Sequence, residues 1–202
     1  MGAAEAPRLY LVTPTEIAPE ALARITETLL ASGTVACVRL DLGAAEDAAW
    51  IAAANALLPI AHSAEVPLLA TDRADLVVSL GLDGVHLTRP GSGIAALRKR
   101  LGKDRILGAF GGASRHMAMS LAEAGADYVA LGPLHGDGAA EDALFAWWAE
   151  MIEIPCVAEG HATAEDAARL AETTDFIVPD PAIWTANDPA SRLAAYAAAL
   201  AG

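Results

Sequence analysis

Cysteine is scarce: Cys37 and Cys156 are the only two in 202 residues, too few for a disulfide framework. Each sits in an apolar run, Val-Ala-Cys37-Val and Ile-Pro-Cys156-Val-Ala, so both read as buried thiols of a reducing compartment and a cytoplasmic address is expected. Basic residues are scarce as well. Thirteen Lys and Arg stand against 26 Asp and Glu, a formal charge of −13, the wrong sign for displacing counterions from nucleic acid phosphates or for docking on anionic lipid. Neither nucleic acid nor membrane is an expected partner. The acids are mixed with bases and form no block, so most of them read as a solvated surface. No uncharged apolar run reaches the roughly 20 residues of a membrane span, and the start, Met1-Gly2-Ala3-Ala4-Glu5-Ala6-Pro7-Arg8, lacks the basic opening and apolar core of a signal peptide. Aliphatic residues, by contrast, are abundant. With 54% hydrophobic residues and a mean hydropathy of +0.37, the chain is built to bury a core and not to stay disordered.

Short apolar runs alternate with longer alanine-rich stretches throughout. Eight strands are expected at Arg8–Thr13, Thr34–Leu40, Val66–Thr71, Gly84–Thr88, Arg105–Phe110, Asp127–Gly132, Ile154–Glu159 and Asp175–Val178. Helix starts are marked by Pro19-Glu20, Asp47, Ser92, Ser114, Thr163 and Asp188-Pro189, and stops by Gly33, Gly81, Gly102 and Gly125. A mean spacing of about 24 residues suits a βα unit better than a two-helix repeat. No Pro/Ser-rich linker divides the chain, so one domain spanning 1–202 is expected. Strands apolar on both faces imply a parallel sheet, and eight βα units are the number that closes an α/β (β/α)8 TIM barrel. An open doubly wound sheet is the alternative, but the first strand ends in Val12-Thr13-Pro14-Thr15, without the Gly-rich phosphate turn of that class.

In a barrel the chemistry belongs at the C-terminal ends of the strands. After strands two to five these ends carry Arg39, Asp72-Arg73, His86 with Arg89, and Arg115. After strands six to eight they carry His135 with Asp137, Glu159 with His161, and Asp180. One side of the mouth is therefore rich in bases and the other in acids, and a small-molecule ligand is expected there. Phe110-Gly111-Gly112-Ala-Ser114-Arg115 reads either as an anion-binding helix start or as a plain strand-to-helix turn.

Several stretches together resemble the thiamine phosphate synthase superfamily, which includes the TenI-like thiazole tautomerases. They are Arg8-Leu-Tyr-Leu-Val-Thr13, Val66-Pro-Leu-Leu-Ala-Thr-Asp-Arg-Ala-Asp-Leu76, Gly81-Leu-Asp-Gly-Val-His-Leu87, Gly125-Ala-Asp-Tyr-Val-Ala-Leu-Gly-Pro133 and Ile154-Pro-Cys-Val-Ala158. The resemblance implies a single TIM barrel that joins a hydroxymethylpyrimidine diphosphate to a thiazole phosphate, releasing pyrophosphate with the help of Mg²⁺. It implies catalytic or substrate-contacting roles for Arg39 and His86, a metal carboxylate at Asp72, and substrate contacts at Gly132 and Gly160.

Other family positions have changed. The Gln and Lys that usually flank Arg39 are Cys37 and Asp41. The second metal carboxylate, expected after His86, falls in Leu87-Thr-Arg89-Pro-Gly91, which has no acid. A pyrophosphate-contacting Ser is replaced by Phe110, and the Thr-rich loop ending in Lys by Leu134-His-Gly-Asp-Gly-Ala139. The phosphate turn after strand seven is Glu159-Gly160-His161, and the small residues after strand eight are Val178-Pro179-Asp180. A carboxylate facing a partly desolvated phosphate costs about 4 kcal/mol per close pair at an effective dielectric of about 20.

Three readings follow. The chain is a working or degenerate synthase, a metal-independent TenI-like enzyme using His135 beside Asp137 as its proton shuttle, or a barrel without catalysis that binds a ligand or partner. Pairing of the acids 137, 159 and 180 with Arg39, Arg89 and Arg115 across the mouth would favour the last. Trp50, Trp147 and Trp148 read as packing or subunit contacts, which leaves a homo-oligomer open.

Overall fold

A computed structural model describes residues 7–91 and 93–202. The elements run β1 (Arg8–Val12), α1 (Pro19–Leu30), β2 (Val35–Leu40), α2 (Asp47–Ser63), β3 (Leu68–Thr71), α3 (Val77–Leu80), β4 (Gly84–Leu87), α4 (Ile94–Leu101), β5 (Ile106–Gly112), α5 (Arg115–Glu123), β6 (Tyr128–Leu131), α6 (Asp142–Met151), β7 (Cys156–Ala162), α7 (Ala164–Leu170) and β8 (Phe176–Pro179). A 3₁₀ turn (Pro181–Ile183) and α8 (Pro189–Ala201) complete the chain. The eight strands are parallel and close in sequence order, β8 pairing with β1 through Arg8↔Phe176 and Leu9↔Ile177. The barrel and its α/β class are those expected from the alternating runs.

Two buried layers explain the closure. Outward residues such as Leu9, Leu11, Val38, Leu40, Leu68 and Val85 pack under helices that contribute Leu22, Leu29, Trp50, Leu57, Phe145 and Trp148. Inward residues Tyr10, Cys37, Leu69, Tyr128, Ala130, Val157 and Val178 fill the interior. Burying each large aliphatic or aromatic side chain stabilises by roughly 1.5–3 kcal/mol. Gly108 on β5 completes this interior by default, because a Cβ there would fall 1.9 Å from the Tyr128 ring. Both cysteines are buried and free, and burial pushes the thiols up, to about 12 at Cys37 and about 11 at Cys156.

The caps expected at Ser114, Thr163 and Asp188 are present: their side chains accept from the backbone N–H of Met117, Asp166 and Ser191. Ser92 lies outside the described residues. Two expectations are corrected. β5 does not stop at Phe110 but continues through Gly111 and Gly112, where its register against β6 shifts, so these glycines are strand residues and not the opening of a helix. β7 runs past Glu159 to Ala162 through a register shift against β8, with Gly160 at φ +137° and His161 at φ +56°. Such a bulge re-aims side chains at the end of a strand.

Candidate functional site

The mouth holds a cavity of about 440 Å³ lined by Val12, Thr13, Pro14, Thr15, Arg39, Asp41, Glu159, Gly160, His161, Val178, Pro179 and Pro181. It therefore opens over β1, β2, β7 and β8. Arg39 and Glu159, 120 residues apart, meet here in a two-pronged ion pair, Nη1 to Oε2 at 3.0 Å and Nη2 to Oε1 at 2.7 Å. Arg39 is 4% exposed and Glu159 19%. Burial alone would raise the Glu159 carboxyl, yet Arg39 first and His86 next hold it below the ordinary carboxylate range. On Arg39 the same partner outweighs burial and keeps the guanidinium charged.

His86 lies fully buried beneath this pair. Its Nδ1 is 2.8 Å from the Tyr128 hydroxyl, which is 2.7 Å from the Tyr10 hydroxyl, while its Nε2 is 3.7 Å from Glu159 Oε2. Burial, and then the Arg39 charge, push the imidazole down to about 3, so it is neutral at physiological pH. Arg39 also sits over the Tyr10 ring, 5.7 Å from its centroid. His86 Nε2, Arg39 Nε and Thr71 Oγ1 are buried polar atoms without a hydrogen-bond partner, on the adjacent strands β4, β2 and β3. Such atoms are rare in a settled core.

The two retained glycines have packing reasons. A Cβ on Gly132 would fall 2.0 Å from the Glu159 carbonyl oxygen, and one on Gly160 would fall 2.5 Å from the Leu134 backbone nitrogen. They let the tops of β6 and β7 close together, and so aim Glu159 inward.

Other expected site residues do not join this centre. Asp72, with φ +55°, turns across to β4 and accepts from both the backbone N–H and the hydroxyl of Thr88. Both of its oxygens are engaged, and among the described residues no group of three or more His, Cys, Asp and Glu could hold a metal ion. The Mg²⁺ that the resemblance implies therefore does not fit these residues. His135 bonds Asp166 at 2.9 Å, not Asp137, and stands half exposed on the rim. Asp166 is already the capping-box residue of α7 and pairs with Arg169, so His135 ties the loop after β6 to α7. Asp180 folds back to accept from Ala182 N–H at the head of the 3₁₀ turn. Arg115 lies over the Trp147 ring, 4.7 Å from its centroid. Arg89 makes no ion pair among the described residues. Of the expected cross-mouth pairs, only Arg39–Glu159 forms there. Gly111 and Gly112, on β5, stand two strands away from the cavity lining, with β6 between. Tyr10, Tyr128, Thr13 and Thr15 were not singled out as site residues in the sequence. The inward alternation of β1 and β6 could have found the two tyrosines, whereas no local signal marks the two threonines.

The geometry sits on a chain whose likeness to known proteins is extensive. The family model for thiamine monophosphate synthase matches residues 9–178. Thiamine-phosphate synthase of Rhodospirillum centenum is 39% identical over 197 residues, covering 94% of each chain. That of Hyphomonas neptunium is 36% identical over 202 residues, covering 94% of this chain and 91% of its own. Among solved structures, thiamine phosphate pyrophosphorylase from Pyrococcus furiosus superposes with a TM-score of 0.83 at 21% identity, over 96% of this chain and 95% of that one. Among the described residues no helix is long and apolar enough to cross a membrane. From the extent of the model match and of these relatives, the chain belongs to the thiamine monophosphate synthase family.

Proposed function

We propose that this family member serves thiamine biosynthesis by holding an uncharged or cationic thiamine-type heterocycle at its mouth, and that it does not carry out the Mg²⁺-assisted, pyrophosphate-releasing coupling. The observation that carries this reading is the Arg39–Glu159 pair. The one buried cation of the mouth is engaged by a carboxylate, with Asp41 in the same cavity lining, so an incoming phosphate would have to break a two-pronged ion pair and face its exposed acid. A neutral or positive ring avoids that repulsion and finds acceptors in Glu159 and Asp41, with Thr13 and Thr15 in the same lining.

A second reading, metal-independent proton transfer on the same heterocycle, is favoured by one observation: Glu159 and His161, two residues apart on β7, line the same cavity. It places the acid–base work on Glu159 and His161 of β7, not on His135. The expected residues Arg39, His86, Glu159 and Gly160 keep roles at the mouth in both readings. Asp72, Gly111, Gly112, Gly132, His135 and Asp180 serve as supporting structure, and Arg89 is given no role in either reading.

Thermal shift with the hydroxymethylpyrimidine and the hydroxyethylthiazole, each with and without phosphate, pyrophosphate and Mg²⁺, tests the proposal. Saturable stabilisation by an unphosphorylated ring and none by its phosphate is expected. Stabilisation by the phosphorylated forms, or coupling of the two substrates at ordinary enzyme rates, would sink it.

A further inference from the structure

Five polar side chains from five strands form one line across the barrel interior: Tyr10 (β1), Tyr128 (β6), His86 (β4), Glu159 (β7) and Arg39 (β2). Their proton order is decidable from what each group can donate. Tyr128 has one hydroxyl proton and two close partners, the Tyr10 hydroxyl and His86 Nδ1. If it donated to Tyr10, Nδ1 would have to carry the imidazole proton, and the bare lone pair of Nε2, itself buried, would face the Glu159 carboxylate across 3.7 Å. If it donates to Nδ1, Tyr128 accepts in turn from Tyr10, and Nε2 points its N–H at the carboxylate. Electrostatics selects the second order, since a carboxylate with two N–H groups of Arg39 on one side is stabilised by a third dipole and opposed by a lone pair.

We infer that the Glu159 carboxylate selects the Nε2–H tautomer of His86 and that Tyr128, backed by Tyr10, is a positioning residue whose hydroxyl, donated to Nδ1, holds that ring in place, so that His86 and Arg39 together hold Glu159 as an ionised acceptor at the floor of the mouth. Two features of the fold serve this arrangement. Gly108 leaves the space into which the Tyr128 ring reaches, and that ring stacks on His86 with centroids 5.6 Å apart at 21°. His86 Nε2 has no solvent-accessible surface to speak of, so it acts through Glu159 and not on a ligand. The titratable and charged groups facing Glu159 are Arg39 from β2, His86 from β4, Tyr128 from β6 and His161 from β7 itself. The inference concerns the state of these side chains and stands whether or not the proposed ligand class is right.

The test is nitrogen NMR of the whole chain labelled at histidine, with the His86 ring identified by the signal lost in His86→Gln. A neutral ring protonated at Nε2 is expected across pH 5 to 8. In Tyr128→Phe, which keeps the ring and deletes the hydroxyl, the ring should stay in the Nε2–H form but its Nδ1 resonance should move as that hydrogen bond is lost, and the Glu159 carboxyl, followed by carbon NMR, should titrate at higher pH than in the parent. A parent spectrum showing Nδ1–H overturns the inference with no variant needed. So does a folded Tyr128→Phe protein in which the Nδ1 resonance and the Glu159 titration are both unchanged.

Discussion

Arg39 and Glu159 decide the character of the mouth because neither is well solvated and each satisfies the other. Removing one partner of a nearly buried pair leaves an uncompensated charge, so Glu159→Gln should lower stability by about 3 kcal/mol, read from urea unfolding. The same change frees the guanidinium, so inorganic phosphate, expected to leave the parent's melting temperature unmoved, should raise that of the variant. A Glu159→Gln protein as stable as the parent and as indifferent to phosphate would show that the pair is not what closes the site to anions. His86 gives a pH dependence with a definite sign. Its folded value near 3 lies below the ordinary histidine value of 6.5, so between those limits the unfolded chain binds a proton that the folded one does not. Stability contributed by neutral His86 is thus full above about pH 6.5 and declines on acidification at about 1.4 kcal/mol per pH unit. Glu159 acts in the same direction at lower pH, because its folded value is depressed and its contribution is lost as pH falls through that value. His86→Gln should flatten the upper part of this acid limb in denaturation curves taken from pH 7 to pH 4.

At the scale of elements, much was legible and some of it in detail. Strands buried on both faces write themselves as apolar runs, and the barrel's eight strands start within two residues of where those runs begin. Caps at Ser114, Thr163 and Asp188 are equally local and equally readable. What escaped were features set by contacts between distant segments. The bulge in β7 that turns Glu159 inward depends on the approach of β6, the partner of Asp72 is a threonine 16 residues on, and that of His135 is an aspartate 31 residues on. A retained glycine looks the same in sequence whether it faces a ligand or a backbone. Gly132→Ala separates the two: a methyl 2.0 Å from the Glu159 carbonyl forces the β6 and β7 tops apart and should cost about 3 kcal/mol, where a ligand-facing glycine would tolerate it. Thr163→Ala removes the capping box of α7 and should cost about 1 kcal/mol, measured by the same unfolding experiment. A cost near zero for Gly132→Ala would return that residue to the ligand.

For the whole molecule the governing quantity is the formal charge of −13, spread over a barrel whose buried charges are largely paired. Excess like charge on a compact body stores repulsion that an expanded chain relieves, so it opposes folding and is screened by salt. The Debye length falls from about 30 Å at 0.01 M to about 8 Å at 0.15 M, which is enough to silence repulsion between surface acids on opposite sides of the barrel. The Arg39–Glu159 pair, buried and in contact, is screened far less. The melting temperature should therefore rise as sodium chloride is increased over that range at pH 7.5, and rise by the same amount in Glu159→Gln. The same field repels anions before they reach the mouth and attracts cations, so a cationic ring should bind more weakly as salt is added while an uncharged one should be indifferent. A melting temperature that falls with salt over this range would mean that surface ion pairs such as Arg73–Asp47 and Arg73–Asp75 outweigh the net charge, and that the exclusion of anionic ligands is the work of the mouth alone.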